Sequence, residues 1–211
     1  MIFANRQEAG VLLAKQVAPF LVPSAMVCAI ARGGVVVGFQ IAQKLHVPLI
    51  PIVVKKLRAP SNPELAIGAI TRDGIKYIDW ELALKVGTDQ DYLDNEIRYR
   101  EKEVQEGIKK YRRSKEKDLG NDVQQVILVD DGIATGATVY VVLKLLLEKG
   151  IKNIVLAVPV VAKDIFGALQ SKVDRVVALK VPDHLTSVGA FYKSFPQVMD
   201  GEVIKLLASR N

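Results

Sequence analysis

Val126-Ile127-Leu128-Val129-Asp130-Asp131-Gly132-Ile133-Ala134-Thr135-Gly136-Ala137-Thr138 is the stretch that orders the reading of this chain. Its first four residues are apolar, which predicts a buried strand. Asp130 and Asp131 follow at the strand's end. A small, hydroxyl-bearing turn comes next, and the spacing of Val139, Val142, Leu143 and Leu146 behind it is helical. Strand, tight turn and helix make an anion cradle, because free backbone N–H groups and the positive end of the helix dipole converge there. Thr135 and Thr138 add hydroxyl donors. Two adjacent acids beside a phosphate would repel it, so they make sense under sugar hydroxyls or near a metal. A ribose 5-phosphate meets both demands. Its phosphate would sit in the turn of Ala134, Thr135, Gly136, Ala137 and Thr138, and its 2- and 3-hydroxyls on Asp130 and Asp131.

The flanking sequence alternates in the same way. An amphipathic helix is expected over 7–20, begun near Asn5 and ended by Pro19. Strand 25–31, helix 35–45 and strand 48–54 follow. From Lys55 to Gly87 the alternation breaks: 58–63 reads as a loop, and Arg72-Asp73-Gly74 reads as a turn between two strands. A long, charged, mostly solvent-facing helix is expected over 91–117, closed by Gly120-Asn121-Asp122. Alternation then resumes with strand 123–129, helix 138–149 capped by Gly150, strand 154–161, helix 163–170 and strand 173–181. The tail ends in an amphipathic helix from about Asp200. Repeated βα units predict an α/β fold: a doubly wound, mostly parallel sheet with helices on both faces. The expected organisation is one domain over 1–211. Its core is about 24–56 and 121–182. A small hood or lid is built from the chain ends and the 56–120 insertion, with 57–120 as the lid.

In such sheets ligands lie at the carboxyl ends of the strands, where the strand order reverses. Asp130 and Asp131 fall at one such end. Ala31-Arg32-Gly33-Gly34 falls at another, where glycines permit close approach of backbone to an anion and Arg32 brings charge. Alone, Arg-Gly-Gly is an ordinary turn before a helix; with the acid-bearing motif in the right order it becomes a second ligand loop. Lys55 and Lys56 end the strand over 48–54 on the same rim. Alternation sends them to opposite faces, so one at most faces a ligand; it does not choose between Lys55 and Lys56, and Lys56 stands as the pyrophosphate candidate. Glu64 reads as a surface carboxylate. His46 and His184 have no metal-ligand spacing. Trp80 and the group Phe191, Tyr192 and Phe195 read as core, with a tail aromatic also placed to line an acceptor pocket.

The stretch from Val126 to Thr138 resembles the phosphoribosyl-pyrophosphate (PRPP) motif of type I phosphoribosyltransferases: four apolar residues, two acids, a short variable segment, then Thr-Gly-x-Thr. Ala31 to Val35 resembles the pyrophosphate loop of that family, which implies a cis peptide at or beside Arg32–Gly33. Further likeness, to a branch whose acceptor these motifs do not settle, runs through Lys55 to Pro60, Asn62 to Ala69, and Val188 to Tyr192 with Phe195. The resemblance implies transfer of the 5-phosphoribosyl group of PRPP to a nucleobase-like nitrogen, with release of pyrophosphate. It implies Asp130, Asp131 and Arg32 as catalytic residues, and Arg32, Gly33, Gly34 and Lys56 as pyrophosphate contacts. Mg²⁺ is the implied cofactor, held through the ligand's pyrophosphate and ribose rather than by a protein cluster. Type I enzymes also carry a mobile catalytic loop between these core units, so Arg112, Arg113 and Lys115 are candidates to cover the pyrophosphate. Relatives acting on hypoxanthine and guanine carry an acid where Ala134 stands, which disfavours a 6-oxopurine acceptor.

Composition bounds the alternatives. The chain has 211 residues, half of them hydrophobic, and a single cysteine, Cys28. No disulfide framework is possible within it, and the N-terminal residues do not read as a signal peptide, so a cytoplasmic location is expected. No apolar run approaches a membrane span. The net charge of +6 suits a polyanionic small substrate. It is densest from Lys109 to Lys115, where interleaved acids read as a solvated helix, so nucleic acid is not the expected partner. A homodimer is the expected assembly. The competing class is a PRPP- or nucleotide-sensing regulator, with RNA on the basic face, that keeps the site and lacks turnover.

Overall fold

The computed structural model describes residues 2–111, Leu119 and 122–209. In chain order the elements are α1 (Arg6–Val17), β1 (Ala25–Ile30), α2 (Gly33–Leu45), β2 (Leu49–Ile52), β3 (Lys55–Ala59), β4 (Asn62–Ile70) and β5 (Lys76–Ile78). They continue with α3 (Trp80–Lys85), α4 (Gln90–Tyr111), β6 (Gln125–Val129), α5 (Ala137–Glu148), β7 (Asn153–Val160), α6 (Lys163–Gln170), β8 (Arg175–Lys180) and α7 (Asp200–Ala208). They form two compact units. The first draws its described residues from 1–52, 113–135 and 149–211, the second from 53–112 and 136–148.

The first unit holds a parallel sheet in the order β2-β1-β6-β7-β8. Its central strands are apolar at nearly every position because both faces are covered; every residue of β1 and β6 is buried. Each fully buried Val, Leu or Ile there contributes about 1.5–3 kcal/mol. The chain order departs from β1 in both directions, to β2 on one side and β6 on the other. Order therefore reverses between β1 and β6, and both candidate loops leave the sheet at this pair. Asn5 caps α1, its Oδ1 accepting from Glu8 N at 2.9 Å. α1 and α2 then pack closely: a Cβ on Gly10 would stand 2.6 Å from Val37 O.

The chain ends join this unit. Phe3 pairs with Tyr192 in an isolated parallel bridge, with Phe3 N donating to Phe191 O at 2.9 Å and Lys193 N to Phe3 O at 2.8 Å. Phe3, Ala9 and Tyr192 form a buried cluster flanked by Leu12, Val188, Phe191 and Phe195. Residues 57–111 of the expected lid group with α5 in the second unit.

The second unit is built on an antiparallel sheet, β3-β4-β5. The strand expected over 48–54 stops at Ile52, and Lys55 and Lys56 belong to β3 of this other sheet rather than to the end of β2. Val53 and Val54 carry the chain across, and Thr71 Oγ1 donates to Val53 O at 2.7 Å, pinning the start of β3 to its own unit. The loop expected over 58–63 is mostly strand, because Ala59 pairs with Asn62 and only Pro60 and Ser61 turn. Pro63 is tolerated in the central strand because β4 meets β5 only from Gly68 onward, so its missing N–H breaks no rung.

The turn expected at Arg72-Asp73-Gly74 is present between β4 and β5. α3 escapes sequence periodicity because it has only six residues; Asp79 Oδ1 caps it by accepting from Leu82 N at 3.0 Å. α4 is mostly exposed, as its charge pattern predicts, with Leu93, Val104 and Tyr111 turned inward. Arg100 is a buried exception, paired with Glu96 and Glu103. The expectations for Arg112, Arg113 and Lys115, and for helix closure at Gly120-Asn121, lie outside the described residues. No helix of the described residues is long and apolar enough to cross a membrane.

The tight α1–α2 crossing gives a direct test. Gly10→Ala should destabilise the protein by about 1–3 kcal/mol, because its methyl meets the backbone of α2. Thermal unfolding should show Tm falling by about 2–4 °C per kcal/mol lost.

Candidate functional site

β1 ends at Ile30 and the chain turns at once into α2. The Ala31–Arg32 peptide is cis, the bond just upstream of Arg32–Gly33 and within the stretch the resemblance implied. The two glycines after Arg32 lie against the acid-bearing end of β6. A Cβ on Gly34 would stand 2.8 Å from Val129 O and 3.0 Å from Asp130 Cα. A Cβ on Gly33 would overlap Asp131 Oδ2 outright. Glycine is required here by the neighbouring strand end, a reason the sequence did not give. The structure brings Gly33, Gly34, Asp130 and Asp131 together, with Arg32 immediately before the two glycines.

The acids are more enclosed than a bare strand end suggests. Asp130 is 9% exposed, and its Oδ1 accepts from Asp131 N at 2.8 Å. Asp131 pairs through Oδ2 with Arg6 Nε at 2.7 Å, the two side chains being 18% and 8% exposed. Arg6 is fixed in turn: Nη1 donates to Pro196 O at 2.8 Å, and its guanidinium carbon lies 3.6 Å from the centre of the Phe195 ring. Tyr192 donates its hydroxyl to Asp131 O at 2.7 Å. Burial pushes the Tyr192 phenol pKa up, and the Asp131 carboxylate adds to the rise, so the phenol stays protonated and donating.

Arg6 was not among the expected site residues. It lies 125 positions from Asp131, and no local pattern links the two. Arg32 Nη1 lies 3.6 Å from Asp200 Oδ1, both side chains about a third exposed. A pair this open contributes about 0–1 kcal/mol.

Beyond Asp131 the turn is tied to β7. Ile133 N donates to Val160 O at 2.9 Å, and Ala162 N to Ile133 O at 3.1 Å. Gly132 has no room for a side chain, since a Cβ would overlap Val188 Cγ1. Ala134 and Thr135 are exposed, Gly136 has φ +79°, and α5 begins at Ala137 with Thr138 in its first turn. A glycine suits that left-handed residue. This local geometry is the strand–turn–helix anticipated from the sequence. Lys56 is exposed on β3 in the second unit, whereas Lys55 pairs there with Glu103 at 3.4 Å.

Among the described residues no group of three or more His, Cys, Asp or Glu side chains is placed to hold a metal. Asp130 and Asp131 nonetheless fit a magnesium ion that takes one or two carboxylates and completes its shell with ligand oxygens and water. Cys28 is fully buried in β1, and burial pushes its thiol pKa up, which leaves it unreactive.

Comparison with known proteins adds the following. Residues 15–178 match the family described as phosphoribosyl transferase domain. Two proteins from Mycobacterium tuberculosis strains, provisionally named phosphoribosyl transferases, are each 34% identical over 206 residues. That alignment covers 98% of this chain and 46% of each relative, so the chain spans about half the length of the curated relatives it matches. A solved structure from Thermus thermophilus is 36% identical, covers 99% of both chains and superposes with a TM-score of 0.79. One from Aquifex aeolicus shares the fold at 11% identity, covering 87% of this chain and 78% of its own, with a TM-score of 0.53.

The pairing of Asp131 with Arg6 can be tested by stability. Asp131→Asn should lower stability by about 1–3 kcal/mol in urea denaturation, because it removes the counter-charge of a buried guanidinium. An unchanged midpoint would place the pair outside the fold's energetics.

Proposed function

The chain belongs to the phosphoribosyl transferase family, and from that premise we propose that it transfers the 5-phosphoribosyl group of PRPP to a nucleobase-like nitrogen. The bond between the anomeric carbon and pyrophosphate breaks, a bond from that carbon to the acceptor nitrogen forms, and the nitrogen's proton is lost to solvent. The observation that carries this reading is the packing of the Arg32 loop onto the acid-bearing end of β6. Gly33 lies against Asp131 and Gly34 against Val129 and Asp130, at the point where strand order reverses. One loop offers a cation and a helix N-terminus, and the other offers paired carboxylates. A sugar with phosphate at one end and pyrophosphate at the other calls for both.

On this reading Asp130 and Asp131 hold the ribose hydroxyls, and the turn from Ala134 to Thr138 takes the 5-phosphate on backbone N–H groups and hydroxyls. Arg32, Gly33 and Gly34 receive the pyrophosphate. The transition state carries positive charge on the sugar ring and growing negative charge on the leaving group. Arg32 acts on the second of these, where a fixed charge contributes more in the transition state than in the ground state. Mg²⁺ bound with PRPP would neutralise charge on the pyrophosphate, held through the ligand's own pyrophosphate and ribose oxygens. Ala134, in place of an acid, argues against a 6-oxopurine and leaves other nitrogen heterocycles as the acceptor class.

The test is pyrophosphate release from PRPP with Mg²⁺ across a panel of nucleobases. Release with at least one base is expected, and binding of PRPP without release under every acceptor would make the chain a sensor. Arg32→Ala should lower kcat/KM by about 10²–10³ with little change in Tm, since its pair with Asp200 is about a third exposed. Thr138→Val should weaken PRPP binding about tenfold or more in calorimetry, the loss of one hydrogen bond to a charged oxygen.

A further inference from the structure

We propose that Arg6 is a positioning residue for sugar recognition: it holds the Asp131 carboxylate so that one oxygen faces the ribose hydroxyls. The inference rests on the PRPP reading and adds to it a residue that no motif marks.

The geometry is a closed ring. Arg6 Nε donates to Asp131 Oδ2 at 2.7 Å, and among the described residues Oδ1 has no protein hydrogen-bond partner. Arg6 lies over Phe195 at 3.6 Å, Phe195 stacks on Tyr192 with centroids 4.8 Å apart, and Tyr192 donates to the backbone oxygen of Asp131 at 2.7 Å. Side chain and backbone of one acid are thus gripped by one cluster, and Arg6 Nη1 is anchored separately on Pro196 O. At 7% exposure the arginine has little freedom, so it fixes the carboxylate's rotation as well as its charge.

Placement on α1 supports a role beyond the helix. Arg6 is the first residue of α1, just after the Asn5 cap. A cation there opposes the helix dipole, so local helix energetics disfavour it. Its ion-pair partner is Asp131. Function gains too: a carboxylate facing a polyanionic ligand would repel it, and Arg6 cancels the charge of Asp131 while leaving its other oxygen as an acceptor.

The experiment is isothermal calorimetry on the full chain with two probes, PRPP with Mg²⁺ and pyrophosphate with Mg²⁺, for wild type, Arg6→Met, Arg6→Lys, Asp131→Asn and the Arg6→Met/Asp131→Asn double variant. Arg6→Met should weaken PRPP about tenfold, the size of an ordinary contact coupling, and leave pyrophosphate unchanged, because pyrophosphate has no sugar. In the Asp131→Asn background Arg6→Met should add no further loss. Arg6→Lys should recover part of the PRPP affinity, since one ammonium cannot serve both Asp131 and Pro196. If Arg6→Met does not fold, Arg6→Lys decides by the same ratio of PRPP to pyrophosphate affinity. Equal loss for both probes, additive loss in the double variant, or no loss at all would overturn the positioning role. Failure of the wild type to bind PRPP would instead overturn the transferase reading itself.

Discussion

The carboxylate of Asp131 occupies the space a side chain on residue 33 would need, and much of the first unit is arranged around that approach. It forces glycine at 33, and the neighbouring contact of residue 34 with Val129 and Asp130 forces a second glycine. It also brings the end of β6 against the start of α2, so the two loops that leave the sheet where its order reverses are in direct contact. An anion held so close to other polar groups and so far from water needs a counter-charge. Arg6 meets that need, and its own desolvation is offset by Asp131, Pro196 O and the Phe195 ring.

This demand explains how the chain ends are used. The segment around Phe3 pairs with Tyr192, and the same short stretch delivers Arg6 to the acid. The tail delivers Tyr192 to the acid's backbone and Phe195 to the arginine. Both ends contribute apolar surface through the Phe3–Ala9–Tyr192 cluster and polar contacts through its rim. Stability and the shape of the site are therefore coupled in one place. A substitution that loosens the tail also loosens the contacts that hold Asp131.

The second unit follows different physics. Its antiparallel sheet and its helices carry a charged surface, and its buried ion pair, Arg100 with Glu96 and Glu103, lies within α4 itself. Lys55 joins the same group through Glu103, so a lysine that sequence alternation made an equal candidate with Lys56 already has a structural partner. Gly68 illustrates the packing: a Cβ there would overlap Tyr77 O, so β5 can lie against β4 only beside a glycine.

Much of the parallel sheet was legible from residue patterns, because burial on both faces writes a continuous apolar run and each helix writes its own period. The strand from Gln125 to Val129, the turn that needs a positive φ at Gly136 and the helix from Ala137 are local properties, and local chemistry fixes them. The break after Ile52 was not legible, since Pro48 to Val54 is one uninterrupted apolar run, yet the strand ends at Ile52 and Val53 and Val54 group with the other unit. Nor was the partner of Asp131. The residue pattern places two acids at a strand end before a glycine- and threonine-bearing turn. Packing in space supplies Arg6 as the neutralising partner of one of them, because an ion pair depends on a through-space distance, and the linear order of residues carries no such distance.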